Sequence, residues 1–367
     1  MRNNYDYEED YCEAKEDKKE TKILTPKEIK NRLDENVIGQ DETKKKVATE
    51  IFKHYLRIQS NSKLTKNNIL MTGLTGTGKT FMMQEIAKIL DVPIYIQDCT
   101  TLTSAGYVGD DIENCLKGLI QNANNDIDWA EKGIIILDEF DKLSRKGENV
   151  SITRDVSGES VQQGMLKMLE GNVVKVPEGR RKHPQERCTE INTKNILFVA
   201  CGSFESIEIL VEERLNSKNK NSNTIGFNAN VKSKKEEMSL VDIRKNITRD
   251  DLKKYGILPE ILGRFSILTN LHPLEKTDLI NILKNKNGLF DEYKTIFELT
   301  NNELIVKDEV YDFIAETALK ENIGARGLKA IVEEIMGDIM FEIPSMKNQT
   351  YILDREQCEK VKILNIA

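Results

Sequence analysis

Gly73-Leu74-Thr75-Gly76-Thr77-Gly78-Lys79-Thr80 is the stretch that decides the fold. It matches the pattern G-x-x-x-x-G-K-[ST] without departure. Its glycines let the chain curl until successive backbone N–H groups point inward, toward phosphate oxygens. Within such a loop Lys79 reaches the β- and γ-phosphates and the Thr80 hydroxyl ligates Mg²⁺. The flanks supply the context the pattern needs. Residues 68–71 form a short apolar run that reads as a strand, and residues 81–90 carry a helical pattern.

Working outward, further apolar runs occur at 93–96, 133–137, 195–200 and 266–271, with helical segments between them. Strands alternating with helices imply crossover connections and a mostly parallel sheet. Ile134-Ile135-Ile136-Leu137 is apolar at every position, as a strand covered on both faces requires. It ends in Asp138-Glu139. A carboxylate at the tip of the strand beside the phosphate loop can hold Mg²⁺, and the second can orient the attacking water. The expected fold is therefore an α/β P-loop domain with a three-layer parallel sheet.

Past His272-Pro273 the alternation stops and helical periodicity takes over. Leu328, Ile331, Val332, Ile335, Met336, Ile339 and Met340 repeat at helical spacing, as a core-packing stripe in the last clear helix. The expected organisation is a polar, acidic tail and entry helix at 1–32, a nucleotide-binding domain at 33–272 and a smaller, mostly helical α+β domain at 273–367. Thr25-Pro26 reads as an N-cap followed by proline in the first turn. Residues 215–235, rich in Asn, Ser and Lys, read as a long exposed loop.

Composition narrows the function. The chain has 367 residues, 39% apolar and 31% charged, with a net charge of −7. That balance supplies no basic footprint for nucleic acid. No apolar run approaches the roughly 20 residues needed to span a bilayer, so no membrane association is expected. The six cysteines form no CxxC pair, so neither a zinc site nor a disulfide framework is expected. Scattered thiols fit the cytosol, or an organelle matrix in a eukaryotic source.

Several other stretches leave alternatives open. Arg264 and Arg326 read as surface or ion-paired arginines, although a guanidinium fork also suits phosphoryl transfer. Gly106-Tyr107-Val108-Gly109 is either a turn with a packed tyrosine or a projecting flexible tip. Ile225-Gly226-Phe227 places two bulky apolar residues inside a polar stretch, as an anchor for a partner's pocket would. Arg181-Lys182-His183 is either a solvated run or an attractor for acidic chain ends.

Taken together, and in this order, these stretches resemble the ClpX family of AAA+ unfoldases. The matching set is Val37-Ile38-Gly39-Gln40, the phosphate loop, Ala105 to Gly109, Asp138-Glu139-Phe140-Asp141-Lys142, Arg154 to Glu159, Arg181 to Pro184, Ile225-Gly226-Phe227, Gly263-Arg264 and Gly324 to Leu328. The resemblance implies an ATP- and Mg²⁺-dependent homohexamer that threads tagged proteins through a central pore and delivers them to the ClpP peptidase. It also implies roles. Val37 and Ile38 line the adenine pocket; Arg264 reaches a neighbouring subunit's ATP; Arg326 senses nucleotide from the small domain. Tyr107 and Val108, with Arg154, Asp155 and Val156, grip substrate in the channel. Arg181, Lys182 and His183 guard its entrance, and residues 225–227 dock on ClpP. Family members commonly carry an N-terminal zinc domain with two CxxC pairs, which this sequence does not contain. A protein-remodelling chaperone without a peptidase shares every feature except the docking motif.

Overall fold

The computed structural model describes residues 23–60, 64–102, 112–144, 158–177, 188–221, 239–286, 288–321, 323–343 and 348–364. Within them the strands are β1 (Ile69–Thr72), β2 (Ile94–Asp98), β3 (Ile134–Asp138), β4 (Val173–Pro177), β5 (Cys188–Asn192), β6 (Leu197–Gly202), β7 (Ile267–Asn270), β8 (Glu303–Val306) and β9 (Thr350–Leu353). Five of these form one sheet in the order β2-β3-β6-β1-β7. Every neighbouring pair in it is parallel. The apolar runs of the sequence thus become strands, each shifted by no more than two residues from its expected limits.

Residues alternate in facing along each strand, and both faces are covered. Ile69, Met71, Ile134, Ile136 and Val199 pack with Val47 and Ile51 of helix Asp41–Ser60 and with Met82 and Ile86 of helix Lys79–Leu90. Leu70, Ile135, Leu137, Phe198 and Ala200 pack on the other side with Leu116 and Leu119 of helix Asn114–Asn122 and Met165 of helix Gly158–Glu170. The result is the expected three-layer α/β sheet.

Three local features depart from the sequence reading. The strand beside β1 is β6, not β3, so the acidic tip lies one strand further from the loop than expected. Helix Ile207–Asn221 runs into the stretch read as loop from residue 215; it contains neither Gly nor Pro to stop it. The helix bearing the Leu328 stripe, Gly324–Glu342, is not the last, because helix Arg355–Leu364 follows β9. An antiparallel hairpin, β4 with β5, also joins helix Gly158–Glu170 to β6.

From Leu279 to Cys358 the chain has its own apolar core, in which Leu328, Ile331, Val332, Ile335 and Met336 are buried. Here β8 and β9 form a two-stranded parallel sheet. Gln40 ties the junction between the two parts. Its side-chain amide donates to the His272 carbonyl at 2.7 Å, and its carbonyl accepts from the His272 N–H at 3.1 Å. At the other end, Thr25 and Glu28 cap helix Pro26–Asn36 reciprocally, with Pro26 in its first turn. Among the described residues, no helix is long and apolar enough to cross a membrane.

Candidate functional site

The loop after β1 is shaped by glycines where it must be. Gly76 and Gly78 adopt φ of 80° and 89°, a region side chains disfavour. A Cβ on Gly73 would lie 2.9 Å from both Leu271 Cβ and Thr77 Oγ1. Gly76 is pressed against another backbone: a Cβ there would meet the Ile323 carbonyl oxygen at 3.2 Å and Gly324 Cα at 3.3 Å. Gly78 caps helix Lys79–Leu90 without a side-chain hydrogen bond, which leaves the first amides of the helix facing the cleft.

Lys79 is buried, and its ammonium donates to the carbonyls of Gly73 at 2.7 Å and Leu74 at 3.0 Å. Burial lowers its pKa, while Asp138 and Asp141 are among the groups that oppose the shift. The Thr80 hydroxyl donates to Asp138 Oδ2 at 2.8 Å, bridging the β1 loop to the β3 tip across the intervening strand. Two hard oxygen donors in contact fit a shared Mg²⁺ that keeps several of its waters.

Glu139 is exposed beside them and holds φ 51°, a left-handed conformation that costs a non-glycine residue roughly 1–3 kcal/mol. Its N–H donates to Asp138 Oδ1 at 3.0 Å. That turn aims Glu139 out of the sheet edge while Asp138 stays with Thr80. Asp141, in the 3-10 turn Phe140–Leu143, is buried and accepts from the Ser203 N–H at 3.1 Å and hydroxyl at 3.0 Å.

These groups open onto one cleft of about 750 Å³. Val37, Ile38, Gly78, Lys79, Thr80, Asp138, Glu139 and Ser203 line it from the sheet side, and Leu274, Ile282, Leu289 and Arg326 from the helical part. A volume in that range, with an aliphatic wall and a few convergent polar groups, suits a nucleotide-sized ligand.

Comparison with known proteins agrees with the geometry. Residues 64–268 match the family model of the AAA domain (Cdc48 subfamily), and residues 274–351 match the C-terminal, D2-small domain of ClpB protein. The ATP-dependent Clp protease ATP-binding subunit ClpX of Bacteroides fragilis is 46% identical over 352 residues, covering 93% of this chain and 83% of that protein. The proteins of the same name from Treponema denticola and Porphyromonas gingivalis are 44% and 43% identical, over 94% and 91% of this chain and 85% and 81% of their own lengths. The chain belongs to the ClpX family. Like other ClpX-family proteins it is a nucleotide-binding ATPase and not a peptidase.

Of the ClpX-family residues named from the sequence, Val37, Ile38, Thr75, Gly76, Thr77, Gly78, Lys79, Thr80, Asp138, Glu139 and Arg326 are brought together around this cleft. Gly73 and Leu74 stand behind it as acceptors for Lys79. Arg264 does not line the cleft; its guanidinium pairs with Glu170 at the end of helix Gly158–Glu170. Tyr107, Val108, Arg154, Asp155, Val156, Arg181, Lys182, His183, Ile225, Gly226 and Phe227 lie outside the described residues. Ser203 stands after a strand, where the family resemblance expects a polar sensor; the sequence assigns it no role, yet it lines the cleft. Sequence reasoning missed the Leu274–Ile282–Leu289 wall because it belongs to no motif.

Proposed function

We propose that this chain couples ATP hydrolysis to the unfolding and translocation of tagged proteins, working in the cytosol as a homohexamer that feeds the ClpP peptidase. The observation that carries the reading is the meeting of Lys79, Thr80, Asp138 and Glu139 with Arg326 of the helical part in one cleft. A site walled by both parts can convert occupancy by nucleotide into movement of one part against the other.

The proposed division of labour follows from placement. Amides at the start of helix Lys79–Leu90 and the Lys79 ammonium bind the phosphates. Thr80 and Asp138 hold Mg²⁺, which when bound offsets negative charge on the phosphate oxygens. Glu139 accepts a proton from the attacking water and orients it. Val37, Ile38 and the aliphatic wall enclose the base, and Arg326 reports on the phosphates from the small domain, whose boundary falls at 272/273. Arg264, paired with Glu170 outside its own cleft, is assigned to a neighbouring subunit's nucleotide, as a finger acting in trans. From the family resemblance, residues 107–108, 154–156 and 181–183 are assigned to substrate handling and residues 225–227 to docking on ClpP.

The test is degradation of a tagged, folded reporter by the purified chain with ATP, with and without ClpP. ATP-dependent loss of the reporter only when ClpP is present is expected, and deletion of residues 225–227 abolishes it while ATPase activity persists. Degradation that survives the deletion overturns the docking assignment. Unfolding without degradation in the intact chain makes it a peptidase-independent remodelling chaperone instead.

A further inference from the structure

Arg244 is among the largest fully buried side chains of the molecule, at 1% exposure, yet it belongs to none of the motifs above. It comes from the short helix Leu240–Lys245 and reaches into the turn that follows β6. There its guanidinium pairs with Glu208 at 2.5 Å and donates to the Ser203 carbonyl at 2.9 Å and the Phe204 carbonyl at 3.4 Å. Burying a guanidinium is costly unless its donors are met, and here one fork is divided among a carboxylate and two adjacent carbonyls.

The turn it holds is strained. Phe204 and Ser206 take φ of 49° and 65°, and a left-handed bulky residue persists only where its surroundings over-determine it. Phe204 is buried and packs edge-on against Tyr255 with ring centroids 5.3 Å apart. The strain has a direct product at the cleft. The turn presents both the N–H and the hydroxyl of Ser203 to Asp141, and Gly202 lets the carboxylate come close: a Cβ there would lie 2.8 Å from Asp141 Oδ1. Asp141 is two residues from Glu139, in the turn that Glu139 opens with its own left-handed φ. Ser203, Asp141 and Glu139 all line the cleft.

We propose that Arg244 is a positioning residue for ATP hydrolysis: it holds the strained turn after β6 so that Ser203 fixes Asp141, and with it the turn that aims Glu139. The relay runs from guanidinium to Ser203 backbone, from Ser203 hydroxyl and amide to the Asp141 carboxylate, and through one tight turn to the base. It rests on the reading of the cleft as the hydrolytic site. Neither Arg244 nor Asp141 needs to touch nucleotide for the relay to act, so it sets turnover and not affinity.

The experiment compares steady-state ATP turnover and nucleotide affinity in the wild type, Ser203→Ala, Arg244→Met and the double variant, all as full-length chains. Ser203→Ala and Arg244→Met each lower kcat about tenfold with nucleotide Kd within about twofold of wild type, and the double variant is no slower than Arg244→Met, because both act on one chain of contacts. Turnover at the wild-type rate in Ser203→Ala, or losses that multiply in the double variant, overturns the relay. Should Arg244→Met fail to fold, Arg244→Lys, which keeps a charge opposite Glu208 but lacks the fork that reaches both carbonyls, takes its place in the cycle, and turnover at the wild-type rate in Arg244→Lys overturns the relay. A wild type that turns over no ATP refutes instead the assignment of the cleft.

Discussion

The two ends of the five-stranded sheet each enclose a lysine held by backbone carbonyls, and only one of them is a site. At the carboxyl edge Lys79 bonds Gly73 and Leu74, and around it lie the carboxylates of Asp138 and Asp141 and an open cleft. At the amino edge Lys66 donates to the Thr193 carbonyl at 2.8 Å and lies 4.7 Å above the Phe198 ring. Beside it Arg57 donates to the Lys194 carbonyl at 3.1 Å, and His54 Nε2 meets the Asn195 carbonyl at 3.0 Å. Three basic side chains thus close on the three carbonyls of the turn Thr193–Asn195 that leads into β6. Burial, with Arg57 adding to it, pushes Lys66 down to about 7; burial, reinforced by Arg57 and Lys66, pushes His54 down to about 3. A perturbed lysine is therefore no marker of chemistry by itself. Free amides, carboxylates and room for a ligand separate the working end from the bolted one.

The contrast breaks most visibly in a pair of substitutions. Lys79→Ala lowers ATP turnover roughly 10³-fold, as loss of a preorganised cationic donor to the transferring phosphate does, whereas Lys66→Met leaves turnover within about twofold and lowers Tm. If steady-state kinetics ranked the two variants the other way, the assignment of the working end would fall. Glu139→Gln comes next. Nucleotide still binds, because Lys79, Thr80 and Asp138 are untouched, and turnover drops roughly 10²-fold; unchanged turnover would remove Glu139 from the mechanism.

The smallest effect concerns the amino edge and is one of pH. His54 ordinarily titrates at 6.5 and in the fold at about 3, so between those values the unfolded chain binds more protons than the folded one. Its contribution to stability is complete above about 6.5 and is lost as pH falls toward 3. From pH 7 to pH 4.5, urea unfolding of His54→Gln should show a stability loss smaller than that of wild type by on the order of 2–3 kcal/mol. Equal losses in both proteins would mean the bolted end does not govern acid stability.

What was legible in the sequence was local. The phosphate loop, its strand and helix, the apolar β3 run and the Thr25-Pro26 cap each follow from neighbours in the chain, and each appears where the residues put it. What was illegible was set by contacts across long separations. Nothing in the run 197–202 says that it inserts between β1 and β3, since every interior strand of a parallel sheet reads as apolar. Leu274, Ile282 and Leu289 look like core residues of a helical unit, and only the packing of that unit makes them a wall of the cleft. Arg244 reads as one of many surface charges, and its burial depends on Glu208 and two carbonyls some forty residues earlier.

The contact of Gly76 with Gly324 has a mechanical consequence. Gly324 itself takes φ 59°, and a Cβ there would lie 3.4 Å from Gly76 Cα, so the phosphate loop and the first turn of helix Gly324–Glu342 meet main chain to main chain. Side chains can swing aside and absorb a small displacement; peptide planes cannot. A displacement of the loop toward that helix therefore presses main chain on main chain in the element that carries Arg326, as between meshed gear teeth. A methyl group on Gly76 would meet the Ile323 carbonyl oxygen at 3.2 Å and press the teeth apart, whereas at Gly324 there is room for one and the cost lies in the left-handed φ.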